Sequence, residues 1–181
     1  LEKDGNWYYF VGGVEATGWQ MIGSDWYYFD PATKIGAEGD VKLGAVVYNF
    51  ENGKLTAGVW AKTLLGMRYY NGPNAQKFGW ITIDGKDYCF ENYCRVEGGY
   101  QSIFENNINP LWYYFEEDGS CDKTMVIPDG FYTDRNGYSY VKDGVGLTGF
   151  QTIDGVTYYF DRYGYAQKGT IGGHLFGDDY K

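Results

Sequence analysis

Trp19 and Trp26 are the residues best placed to do chemistry, and both lie in residues 18–29, GWQMIGSDWYYF. A two-residue hairpin turn at Gly23 and Ser24 predicts the pairs Ile22/Asp25, Met21/Trp26, Gln20/Tyr27 and Trp19/Tyr28. Paired residues share a face and neighbours along a strand alternate, so Trp19, Met21, Trp26 and Tyr28 stand together. Gln20, Tyr27 and Phe29 fall on the other side. A wall of rings binds rather than reacts. A cation over an indole face gains about 0.5–2 kcal/mol per contact. Sugar rings stack on the same surface through their C–H faces.

The residue patterns of catalysis are missing. There is no HExxH, no GxSxG and no phosphate loop, and His174 is the single histidine, in a C-terminal stretch that reads as frayed. Glu116-Glu117 and Asp178-Asp179 are adjacent pairs, which on a strand point to opposite faces. Residues 134–137 offer too few ligands for a calcium loop. Cys89, Cys94 and Cys121 lack a CxxC pair; Cys89 and Cys94 are near enough to bridge around a turn, with free buried thiols as the alternative. The expectation is a chain without enzymatic activity, cofactor or metal.

The elements that position the rings recur. WYYF at residues 7–10 and 26–29 is followed by VYNF (47–50), RYYN (68–71), DYCF (87–90), WYYF (112–115), YSYV (138–141) and TYYF (157–160). These strands end near 10, 29, 50, 71, 90, 115, 141 and 160, at intervals of roughly twenty residues. Turn dipeptides Asp4-Gly5, Asp84-Gly85 and Asp154-Gly155 separate the paired strands, and sustained helical spacing is absent. One hairpin is not stable alone, so each must stack on its neighbours. The fold expected is all-β, a β-solenoid of about eight stacked hairpins forming a single repeat array over residues 1–181. Insertions are expected between Tyr100 and Trp112, as a projecting loop, and around residues 116–129.

The alternation extends to the other hairpins. Trp80, Thr82, Asp87 and Cys89 share a face, as do Tyr100, Ser102, Trp112 and Tyr114. Phe131, Thr133, Tyr138 and Tyr140 form another such face, and Phe150, Thr152, Thr157 and Tyr159 a further one. Any tyrosine of a YYF triplet is more often core than ligand wall, so each ring carries both readings.

Composition bounds the partners. Rings make up 20% of the chain, with 28 glycines and four prolines, so burial by flat rings replaces an ordinary aliphatic core. A net charge of −9 argues against nucleic acid, which needs clustered Lys and Arg. No apolar run approaches a membrane span, so membrane insertion is not expected. Leu1 falls inside a repeat, and the expectation is a fragment of a larger secreted protein.

GWQMIGSDWYYF, GWITIDGKDYCF (79–90) and GFQTIDGVTYYF (149–160) resemble the cell-wall-binding repeats of Gram-positive surface proteins. That class includes choline-binding modules, glucan-binding repeats of glucosyltransferases and the C-terminal repeats of clostridial toxins. The resemblance implies a solenoid attached to a separate domain, with shallow ligand sites between successive hairpins. In choline-binding members two aromatics of one hairpin and a third from the next form a cage. Trp19 and Trp26 match the first two positions, while Asn49 replaces the third and leaves Tyr48 as the ring that could serve. Arg68, Asp87 and Thr157 stand where an aromatic is expected, which favours a polar glycan contact.

The reading is a noncatalytic module attaching a secreted protein to a cell-surface or extracellular polysaccharide, or to a choline-decorated wall polymer. Its candidate ligand-binding residues are Trp19, Met21, Trp26, Tyr28, Tyr48, Trp80, Tyr100, Trp112 and Tyr114. Dimer formation stays open, and the alternative is a structural spacer or protein-interaction array with no small ligand.

Overall fold

The computed structural model describes residues 1–105 and 109–181, and every element among them is a β-strand. The ladders are antiparallel hairpins. Gly18–Ile22 pairs with Asp25–Phe29 in the register expected, Met21 opposite Trp26 and Trp19 opposite Tyr28. The later hairpins repeat the arrangement, with Tyr100 opposite Tyr114, Phe131 opposite Tyr140 and Phe150 opposite Tyr159. Turn chemistry sets these registers. Asp84 and Gly85 take φ of 50° and 76°, and Asp154 and Gly155 take 51° and 80°, the positive pair that a twisted two-residue hairpin requires.

The chain forms two compact units, residues 1–78 with 90–95, and residues 79–89 with 96–181. In the first unit a five-stranded sheet runs Gly18–Ile22, Asp25–Phe29, Lys54–Leu55, Val46–Glu51, Gly39–Leu43. Its middle strand is the short one. Lys54–Leu55 turns back at Asn52-Gly53 onto its own hairpin, pairing Phe50 with Leu55, and on its other edge pairs Lys54 with Tyr27 of the preceding hairpin. Successive hairpins are thus tied by backbone hydrogen bonds as well as by side chains. The second unit uses the same device, with Ser120 opposite Tyr88 and Val145 opposite Leu111.

The core follows the fourth position of most of the recurring quartets. Phe29, Phe50, Phe115, Phe160 and Val141 are buried, and the chain returning beside them contributes Ala37, Leu55, Cys121 and Ala166. Each fully buried Phe adds about 1.5–3 kcal/mol of hydrophobic stabilisation. Flat rings therefore do the work of an aliphatic core, as the composition implied.

Two details differ from the sequence reading. The C-terminal stretch is not frayed: Gly169–Ile171 pairs with His174–Phe176, and Phe176 is buried while His174 stays exposed. The segment following each long strand is a loop in that reading, yet in several places it includes a two-residue strand. The three cysteines are free thiols. Residues 106–108, within the insertion between Tyr100 and Trp112, lie outside the described residues.

Candidate functional site

Three groups of rings collect the residues singled out by sequence. In the first unit Trp19 lies 6.1 Å from Trp26, 5.5 Å from Tyr28 and 5.0 Å from Tyr48, each at a steep edge-on angle. Hairpin pairing brings in the first two partners, and the next hairpin supplies Tyr48. Tyr48 is 3% exposed, and its hydroxyl donates to the Gly72 carbonyl at 3.1 Å. Burial, then neighbouring Tyr70, pushes its phenol pKa up. Trp19, Trp26 and Tyr28 are half-buried against this core, while Met21 is half-exposed.

In the second unit Tyr100 stands 5.1 Å from Tyr114 and 4.5 Å from Tyr132 of the following hairpin. Trp112 lies 5.7 Å from the same Tyr132 and is 2% exposed, packed with Ile127 and Val141. Trp80 belongs to a third group, 5.0 Å from Tyr113 and stacked at 5.7 Å on Phe115. Its indole N–H donates to Glu105 Oε1 at 2.9 Å, and the Tyr113 hydroxyl donates to the same oxygen at 2.6 Å. Burial, then that hydrogen bond, raises the Tyr113 pKa well above the phenol range. Lys123 Nζ lies 5.1 Å from the Trp80 ring centroid and 3.3 Å from Asp87. An internal ammonium thus already occupies a face of Trp80, and the Arg95 guanidinium stands likewise 5.3 Å from Trp60 in the first unit.

An open aromatic site uses rings outside these groups. A cavity of about 470 Å³ in the first unit is lined by Trp7, Tyr27, Glu51, Asn52, Lys54, Leu55 and Thr56. A smaller one of about 180 Å³ shares Trp7, Tyr27 and Asn52 with it, so a groove with two adjoining compartments runs past both rings. Trp7 is 40% exposed. Lys54 Nζ is held 2.8 Å from Asp25 Oδ2, a hydrogen bond that raises the lysine pKa and keeps its charge beside the rings. The short strand Lys54–Leu55 positions this lysine opposite Tyr27. The alternation placed Tyr27 on the face away from Trp19, and Trp7 opens the first WYYF. Asn52-Gly53 is a turn dipeptide whose return strand sequence reasoning passed over.

Such a groove, aromatic below and lined with amide, hydroxyl, carboxylate and ammonium groups, suits a ligand with one apolar face and many hydroxyls. The register position recurs in the second unit, where a cavity of about 410 Å³ flanks the Tyr88/Ser120 pairing and is lined by Lys86, Asp87, Glu116, Asp122, Lys123 and Thr124. It has no aromatic wall. Thr82 and Lys123 hold Asp87 below the usual carboxylate range there, the Thr82 hydrogen bond first.

Comparison with known proteins agrees with the recurring strands. The profile of a putative cell wall binding repeat matches residues 1–10, 17–31, 106–121 and 148–166. Glucosyltransferase-S of Streptococcus mutans is 28% identical over 181 residues, covering 94% of this chain and 12% of that protein. Glucosyltransferase-I of Streptococcus downei is 31% identical over 221 residues, with 94% and 14% covered. Toxin A of Clostridium novyi is 30% identical over 97 residues, covering 48% of this chain and 4% of the toxin. The chain thus spans a small part of each relative, and it carries repeats of the putative cell wall binding family.

Proposed function

We propose that this chain is a noncatalytic glycan-binding module that holds a secreted protein on a cell-surface or extracellular polysaccharide, a glucan being the leading candidate. The observation that carries the proposal is the groove beneath Trp7 and Tyr27, where an exposed indole, a tyrosine ring and the polar groups of Glu51, Asn52, Lys54 and Thr56 converge. A hexose stacks one face on an indole and turns its hydroxyls toward donors and acceptors at the rim. The similarity to streptococcal glucosyltransferases over most of the chain favours a glucose polymer.

Two observations favour glycan over choline. Lys123 and Arg95 already fill the ring faces at Trp80 and Trp60 that an external cation would use. The rings around Trp19 and Tyr48 stack edge-on against one another, so a quaternary ammonium would have to part them. In this proposal Trp19, Trp26, Tyr28, Tyr48, Trp80, Tyr100, Trp112 and Tyr114 with Met21 support the scaffold and flank secondary contacts. The hairpins act as the repeats, about eight, of one β-solenoid array, so weak sites add by avidity.

Affinity electrophoresis through gels containing soluble glucan tests the reading. Retardation that disappears in Trp7→Ala is expected, since a central aromatic anchor accounts for about 2 kcal/mol or more. Migration unaffected by any glucan of the panel, with choline alone bound through Trp19 and Trp26, would replace it with the choline reading. No response to either ligand would leave the array a spacer.

A further inference from the structure

Between Asn52 and Ile83 the chain has no Asp or Glu, yet it carries Lys54, Lys62, Arg68 and Lys77, in a protein of net charge −9. Three of these cations gather around one hairpin of the first unit. Lys62 and Arg68 flank the turn joining Val59–Thr63 to Gly66–Tyr70, and the turn itself is Leu64-Leu65. Those leucines are 106% and 76% exposed. Such turns favour Gly, Asn and Asp, so a pair of bare leucines is not explained by the turn.

The base of this hairpin meets a second turn. A Cβ at Gly66 would lie 3.4 Å from Cys94 Cβ, and the Arg68 guanidinium lies 5.9 Å from the Tyr93 ring centroid. Lys77 Nζ is 5.2 Å from the Phe78 ring and 5.6 Å from Tyr93. Both rings are exposed, and Tyr93 holds φ at 69°, a conformation that costs a bulky residue and suits glycine. Glu91 stands opposite Cys94 in the ladder. The register sets Lys62, opposite Met67, and Arg68, opposite Ala61, on the two sides of the hairpin, so cations flank the unburied leucine tip from both sides, with Tyr93 and Lys77 on the Arg68 side.

We propose that this hairpin docks tip-first on an anionic phospholipid surface. Leu64 and Leu65 enter the boundary between headgroups and acyl chains, Phe78 and Tyr93 rest at headgroup level, and Lys62, Arg68 and Lys77 face the phosphates. A polyanion in solution would satisfy the cations but leave both leucines in water; a lipid surface uses all of them. The Thr63 hydroxyl accepts from the Leu65 N–H at 3.2 Å and donates to the Gly66 carbonyl at 2.9 Å, so the tip is stiffened from within. The site is separate from the glycan groove and stands or falls without it.

Sedimentation of the full chain with vesicles of phosphatidylcholine, with and without phosphatidylglycerol, tests the proposal. Binding to the phosphatidylglycerol vesicles, reversed by salt, is expected. Lys62→Gln with Lys77→Gln weakens it about 25-fold, at about fivefold per cation. Leu64→Ser with Leu65→Ser, which leaves the Thr63 hydrogen bonds in place, weakens it by about tenfold or more. Circular dichroism of both variants checks that they remain folded. No binding of the wild-type chain to anionic vesicles overturns the proposal. So does binding that the serine variant retains and soluble polyphosphate competes away, because the surface would then be an anion site only.

Discussion

Gly72→Ala tests whether the packing around Trp26 is as tight as described. Gly72 is buried, takes φ of 128°, and a Cβ there would stand 2.4 Å from Trp26 Nε1 and 2.5 Å from Cδ1. Two costs follow. Holding alanine at that backbone angle costs about 1–3 kcal/mol. Forcing the indole aside costs about 1–3 kcal/mol more, because ring and backbone already touch. The Tyr48 bond to the Gly72 carbonyl is disturbed as well, so the total is about 2–6 kcal/mol, a large part of ordinary domain stability. In a Trp26→Ala background the clash is gone and the strain remains, leaving Gly72→Ala to cost about 1–3 kcal/mol. Urea denaturation of the four proteins in this double-mutant cycle, followed by tryptophan emission, measures the difference. An equal penalty in both backgrounds, or one below about 0.5 kcal/mol, refutes the reasoning.

Two further outcomes are expected. Asp118 is held well below the carboxylate range by Lys86 first, then by the Ser120 hydroxyl and backbone N–H. A depressed folded-state pKa stabilises at neutral pH and is lost as pH falls through the folded-state value, so the melting-temperature gap between wild type and Asp118→Asn narrows on acidification; both charges are half-exposed, so the gap is small, and one that widens toward acid contradicts the assignment. Cys121 is pushed up to about 11, chiefly by burial, whereas Cys94 is partly exposed. Alkylation of the native protein at mildly alkaline pH, located by mass spectrometry, should mark Cys94 first, and early modification of Cys121 contradicts the burial described.

The registers were legible because two signals agree: strict alternation around Trp19, Trp26 and Tyr28, and turn pairs such as Asp84-Gly85 that accept positive φ. Alternation says which residues share a face, not how deeply a face is buried. Tyr48 and Trp112 therefore read as walls open to a ligand, while the structure buries both, and Val46, Tyr48 and Phe50 alternate cleanly with exposed Val47, Asn49 and Glu51. Two-residue strands such as Lys54–Leu55 are too short for any periodicity to register. Missing that strand hid the groove, since Trp7, Tyr27 and Lys54 meet only when the return strand pairs with the preceding hairpin.

The most direct test of the glycan account is the two-dimensional NMR spectrum of the tryptophan indole N–H groups during titration with isomaltotriose and, separately, with choline. The account predicts that the Trp7 resonance shifts and saturates with the sugar and stays still with choline, with the same sugar response lost in Lys54→Ala. A Trp7 signal indifferent to sugar, with Trp19 and Trp26 moving on addition of choline, would contradict it.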